Sequence, residues 1–458
     1  MCQVTQKSCG RFVCRGLESH DLVLSRGAGS THRSGGEPRI GESAAVILGI
    51  DAFNIRAGGG VTHLAELLGA AEPSAYGFHR VIIWSSTKTL EHIDDRVWLT
   101  KRRDPLLDKG LFHRALWNRF RQQRVARQAD CDVMFVPGGS NKSGFTPLVT
   151  MSQNLLPFEW WELKRYGVTT YTLKLLLLRW AQGRTFQKAD SVIFLTRYAR
   201  ETVRRVIGAL PSDCPIIPHG INTRFMKPPR MQRPLEEFTT SRPCRVLYVS
   251  IVDLYKHQWH VVEAIAILRR EGIPVVLELV GPPARGMSRL TRAMHRFDPS
   301  GTFIVYQGAI PYASLDEIYA KADVCVFASS CENMPNILLE GMAAGLPIAC
   351  SQMGPMPEIL DGAGVYFDPE DARSIAHSLR ELVASPVLRA RCSRDAYARA
   401  QTYSWKRCAD DTFKLFAQVV RGTTRTVDSV KRQAVRDTEV HLSGVSQLEE
   451  GRGERRQR

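Results

Sequence analysis

Residues 322–360 read ADVCVFASSCENMPNILLEGMAAGLPIACSQMGPMPEIL. The run Val324–Ala328 is apolar throughout and rich in β-branched and aromatic residues, the pattern of a parallel strand buried on both faces. Asn333, Met334, Pro335 and Asn336 then form a turn. A helix is expected from about Pro335, with proline in its favoured first-turn position. Gly345 and Pro347 stop that helix, and Ile348–Cys350 opens the next strand. Glu332 therefore falls in the loop at the carboxyl end of a strand. Glu340, with seven residues between the two, lies inside the following helix. Open α/β sheets bind ligands in the crevice outside the carboxyl ends of their strands. Two carboxylates held there are acceptor-only groups suited to diols.

The same alternation runs outward in both directions. Strand-like runs at Arg80–Trp84, Val133–Val136, Pro147–Met151 and Ser191–Leu195 are separated by helical stretches. Arg245–Ser250, Val275–Gly281, Thr302–Gln307 and Val365–Pro369 continue the pattern. It predicts parallel, doubly wound sheets. The first strand is AAVILGIDAF from Ala44. It is followed by a glycine cluster, Gly58, Gly59 and Gly60, and then a helix. The cluster lacks the GxGxxG spacing of nicotinamide sites. Its place between first strand and first helix lets backbone approach a ligand, at a helix start that attracts anions.

The glutamate-bearing segment resembles the signature of the retaining, nucleotide-sugar-dependent glycosyltransferases of family 4 (glycosyl transferases group 1). That resemblance implies a GT-B fold: α/β, with two Rossmann-like doubly wound domains facing across a cleft. It covers about Ala44 to Val420 and is more specific in the second half. It implies that Glu332 contacts the donor sugar and that Glu340 accepts hydrogen bonds from the ribose hydroxyls. Asn333, Met334, Pro335 and Asn336 line the donor, with Gly59 and Gly60 opposite. Lys256 stands where the family places a lysine on the donor diphosphate, so Glu332 and Lys256 are the expected catalytic pair. Ile251 stands where the family usually has an arginine. Gln153 and Asn154 occupy the places of a His-Asp pair and are expected to touch sugar or acceptor. Ile216–Asn222, IIPHGIN, resembles the interdomain hinge, in which His219 shapes the turn. The second half carries no DxD-type metal motif. No cofactor or metal is expected beyond the nucleotide diphosphate sugar itself.

The implied organisation is a disordered leader or spurious extension over 1–43, an acceptor-side domain over 44–220 and a linker over 221–244. A nucleotide-sugar domain over 245–404, a helix over 405–420 that returns to the first domain, and a disordered tail over 421–458 complete it. The chain of 458 residues, 44% hydrophobic and 24% charged, can bury two substantial cores. Eleven scattered cysteines without zinc-like spacing read as reduced thiols of a cytoplasmic protein. No stretch approaches the ~20 apolar residues of a membrane span.

The net charge is +16, and ten Lys or Arg fall between Arg96 and Arg127 with only Asp104 and Asp108 against them. Leu106, Leu107, Leu111, Phe112, Leu116, Trp117 and Phe120 are interleaved, and the segment reads as largely helical and amphipathic. It suits an anionic membrane surface on the inner face of the plasma membrane. The competing reading packs the apolar stripe on its own domain. No helix-turn-helix, RNP motif or zinc finger supports nucleic acid as a partner. The expected activity is retaining transfer of a sugar from a nucleotide diphosphate sugar to a hydroxyl of a surface polysaccharide or lipid-linked glycan. The alternatives are a soluble sugar or sugar-phosphate glycosyltransferase, and a non-catalytic binding scaffold.

Overall fold

The computed structural model describes residues 46–56 and 58–423. The expectations for 1–43, and for the tail from 424 on, lie outside the described residues. Twelve strands form two sheets. β1 (Val46–Asp51), β2 (Phe78–Ser85), β3 (Leu99–Arg103), β4 (Val133–Val136), β5 (Leu148–Met151) and β6 (Ser191–Ile193) pair in the order β3-β2-β1-β4-β5-β6. β7 (Cys244–Val249), β8 (Val275–Val280), β9 (Ile304–Gly308), β10 (Val324–Phe327), β11 (Ile348–Ser351) and β12 (Val365–Phe367) pair as β12-β11-β10-β7-β8-β9. Every pairing is parallel, with register such as Leu48 opposite Val81, Ile50 opposite Phe135, and Cys325 opposite both Ile348 and Leu247. Parallel strands need crossover segments, and helices supply them on both faces. Strand order reverses between β1 and β4 in the first sheet, and between β7 and β10 in the second. These are the switch points where a doubly wound sheet opens a crevice.

β3 corrects one expectation. LTKRR falls in the segment expected to be largely helical, yet it pairs with β2 as the sheet's outermost strand. An edge strand tolerates, and is protected by, a run of lysine and arginine that a central strand could not hold. Beyond it the chain is helical in short pieces, with a π-helical turn at Trp117–Arg121. That turn rotates Asn118 inward, where its Nδ2 donates to the buried Asp51 carboxylate at 3.0 Å. The apolar stripe divides. Leu107 and Trp117 are fully buried, whereas Leu111, Phe112 and Phe120 are 55%, 72% and 69% exposed.

The first sheet is finished by a helix that follows the second sheet in sequence. The helix over 405–423 lays Phe413 against Phe78, centroids 5.9 Å apart, and Phe416 against Phe135 at 5.0 Å. All four rings are buried. Phe413→Ala is therefore expected to cost about 3–5 kcal/mol, read as a fall in the urea midpoint at unchanged slope; a loss below ~1 kcal/mol would show that this helix does not complete the core. The chain crosses between the two halves twice, and the crossings touch. Ile221 N donates to Tyr403 O at 3.3 Å. A Cβ on Gly220 would lie 2.1 Å from the Trp405 nitrogen, so only glycine permits the approach. Among the described residues no helix is long and apolar enough to cross a membrane.

Candidate functional site

The carboxyl ends of β1, β7, β8 and β10 converge on one cavity of about 750 Å³. From the first sheet come Arg56 and the glycines 58–60, which open the helix Gly59–Gly69, together with Lys88, His92 and Gln153. Gly58 has φ 67°, a left-handed conformation natural to glycine, so the chain turns tightly into that helix. From the second sheet come Ile251 after β7, Gly281 after β8, and the run from Glu332 through Met334, Pro335 and Asn336 to Glu340. Gly281 has φ 144°, and a Cβ there would lie 2.0 Å from Ser250 O, so the loops after β7 and β8 meet backbone to backbone beneath the cavity.

Glu340 is buried in the helix Asn336–Ala343. The Tyr319 hydroxyl donates to its Oε2 at 3.1 Å. Burial outweighs that bond and pushes the carboxyl up to about 7. It is thus an acid poised to ionise when donors arrive. Pro335 caps the helix instead of entering its first turn. It can cap because the N-cap residue takes an extended conformation and needs no N–H of its own. The N–H groups of Asn336 and Ile337, the first two of the helix, have no intrahelical acceptor and offer an anion-binding end.

Three expected contacts are arranged differently. The Lys256 ammonium is buried on the Glu332 carboxylate, with side chains 4% and 14% exposed. It sits near the Tyr255 and Phe327 rings, 5.0 and 5.3 Å from their centroids, and is not among the residues lining the cavity. Asn333 turns away to the first half of the molecule. Its Nδ2 donates to Ser152 O at 2.6 Å, and Thr196 Oγ1 donates to its carbonyl at 3.2 Å. It latches the two halves instead of lining the cavity, as does Glu358, which accepts from Arg197 N at 2.8 Å and Tyr198 N at 2.9 Å. Asn154 caps its own loop by accepting from Leu156 N at 3.1 Å, and it faces the neighbouring groove. His219 does line the cavity, but its Nδ1 lies 2.9 Å from that of His63. Burial lowers both imidazoles, His63 to about 4, so the pair is neutral.

Sequence reasoning missed Arg56 and Lys88, the Arg and Lys side chains that line the cavity. Arg56 is anchored by Nη1 to Lys109 O at 3.0 Å and Nη2 to Asp108 O at 3.3 Å. Part of the basic segment therefore serves to hold an arginine at the cleft. The available signal was position: both residues follow the carboxyl ends of first-sheet strands. Ile251, 38% exposed in the cavity wall, leaves the second half without the arginine expected there. Among the described residues no group of three or more His, Cys, Asp or Glu is placed to hold a metal ion.

Two family models match in tandem: Glycosyltransferase Family 4 over residues 57–225, and glycosyl transferases group 1 over residues 236–399. The O-antigen chain mannosyltransferase B of Escherichia coli is 29% identical over 114 residues, 25% of this chain and 30% of that protein. The chain spans less than two thirds of the length of the first curated relatives it matches, at 30%, 37% and 56%. Sucrose-phosphate synthase from Thermosynechococcus elongatus superposes with a TM-score of 0.65 at 19% identity, over 82% of this chain and all of that one. Anabaena HepE, solved with UDP-glucose, superposes with a TM-score of 0.57 at 15% identity, over 83% of this chain and 99% of its own. Two parallel six-stranded sheets with a cavity between their switch points, and tandem matches that omit only 1–56, 226–235 and 400–458, lead to one assignment: the chain belongs to the group 1, family 4 glycosyltransferases of the GT-B fold.

Proposed function

We propose that this chain moves a sugar, with retention of configuration, from a nucleoside diphosphate sugar to a hydroxyl of a glycan acceptor. The observation that carries the reading is the meeting of Glu332 and Glu340 with the glycine loop after β1 in one cavity. The solved complexes of Anabaena HepE with UDP and UDP-glucose support a nucleotide sugar as donor. The ribose diol donates to Glu340, and Glu332 orients the sugar. The leaving diphosphate meets Arg56, Lys88 and the N–H groups of Asn336 and Ile337. Charge fixed in advance at that point stabilises the transition state. Lys256 stands one step behind and holds Glu332 in place. The acceptor oxygen bonds to the anomeric carbon on the face from which the bond to the diphosphate oxygen breaks, and the acceptor proton passes to that leaving oxygen. Gln153, which lines both the donor cavity and the groove beside it, donates to an acceptor or sugar hydroxyl.

Thermal unfolding in UDP, GDP and ADP tests this directly. One nucleotide at about 100 times its Kd is expected to add roughly 2.7 kcal/mol of stability, and Glu340→Ala is expected to abolish the shift. A folded native chain that responds to none of the three would leave a scaffold role as the better account.

A further inference from the structure

A second concavity of about 730 Å³ adjoins the donor cavity and shares Arg56, Gly60 and Gln153 with it. It runs between the helices Leu111–Leu116 and Thr170–Lys188. The longer helix is placed contrary to its composition. It buries Gln182, Gly183 and Thr185 beside Leu175 and Phe186, yet leaves Leu173, Leu177 and Trp180 58%, 60% and 60% exposed. Leu173 and Leu177 line the groove, and Leu111 lines it from the other wall. Apolar surface gathered in this way marks a binding face.

The polar groups of the same groove share one sign. Arg56, Arg114, Lys142 and Lys174 line it, and no aspartate or glutamate does. None of the four is ion-paired among the described residues; Arg114 donates through Nη1 to Phe53 O at 3.2 Å and Asn54 Oδ1 at 3.4 Å. Arg114 Nε and the Ser140 hydroxyl, in a serine only 8% exposed, are buried without a hydrogen-bond partner. Buried donors are normally satisfied, so a missing anionic acceptor is the natural complement.

We infer that this groove takes a lipid-linked acceptor: its phosphate lies on Arg114, Ser140, Lys142 and Lys174, its hydrocarbon chain lies against Leu111, Leu173 and Leu177, and the sugar hydroxyl it carries reaches the donor past Gln153. This rests on the proposed glycosyl transfer and names its acceptor class. A free phosphate leaves the leucine walls unused. A membrane surface alone has no need of a concavity that opens into the donor site.

Calorimetric titration of the full chain with decyl phosphate, decanol, inorganic phosphate and UDP tests the inference. Decyl phosphate is expected to bind, and the other two groove probes to bind at least about tenfold more weakly. Leu173→Gln/Leu177→Gln and Lys142→Gln/Lys174→Gln, all at exposed positions, are each expected to weaken decyl phosphate by about tenfold and to leave UDP unchanged. The inference is overturned by a chain that binds UDP but not decyl phosphate, by inorganic phosphate or decanol binding as tightly, or by both double variants keeping native affinity. Attachment to anionic phosphatidylglycerol vesicles without decyl phosphate binding also overturns it. A native chain that binds none of UDP, GDP and ADP counts against the donor reading, and the groove is then judged on decyl phosphate alone.

Discussion

Nucleotide affinity is expected to tighten as the pH rises towards 7 and to level off above it, and Glu340→Gln is expected to remove the dependence. In the empty cavity burial holds the Glu340 carboxyl at about 7. Ribose hydroxyls donate to the ionised carboxylate, so below pH 7 binding must release a proton. That linkage changes Kd by up to about tenfold per pH unit. The same residue affects the stability of the unliganded protein with the opposite pH sign. An acid whose folded pKa lies above its unfolded value binds protons more tightly when folded. Its contribution is intact below the unfolded value of 4.5 and declines as the pH rises to about 7, amounting to about 3 kcal/mol. Glu340→Gln is therefore expected to stabilise the empty protein at pH 8 while weakening nucleotide protection. Comparing native chain and variant cancels Asp51, which burial also raises to about 7. Calorimetry across pH 6–8 checks the first part and urea unfolding the second; a native Kd flat over that range would overturn the ribose assignment.

Lys256→Met is expected to cost about 3–5 kcal/mol and to lower kcat/KM by about a hundredfold or more. Its ammonium and the Glu332 carboxylate are nearly enclosed. Removing one partner leaves a buried charge without compensation. The double variant Lys256→Met/Glu332→Gln removes both charges, and most of the lost stability is expected to return while activity does not. The activity still missing then reflects the lost Glu332 carboxylate, which orients the sugar, and not instability. Urea unfolding of the four proteins in the cycle measures the coupling, and a coupling below about 0.5 kcal/mol would show that the pair does not act as a unit.

The residues that could be placed from sequence are those whose role is local. Glu332 and Glu340 are separated by a strand end, a turn and a helix, and that local grammar put both at the cavity. Lys256 is expected from sequence on the diphosphate, yet it sits on Glu332, 76 residues away, and no local pattern reveals a pairing of that span. Asn333 was legible as a turn residue. Its use as a latch depends on Ser152 in the other sheet, which sequence separation hides. β3 was hidden because LTKRR has one leucine and three basic residues, too little apolar pattern to separate a short edge strand from the basic helical turns beside it. Arg56 and Lys88 each follow a strand end in sequence, but only sheet order, which sets β1 beside β2, brings them to one cavity.

The closing of the first sheet by the helix over 405–423 also sets a timetable. A ribosome delivers Ile193, the end of β6, some 220 residues before Phe413, which at 5–20 residues per second is on the order of ten to forty seconds. During that interval Phe78 and Phe135 have no ring from the last helix to cover them. The half made first is thus the half completed last. A nascent chain of this protein leaves that apolar surface uncovered for nearly half of its synthesis, until the helix over 405–423 arrives.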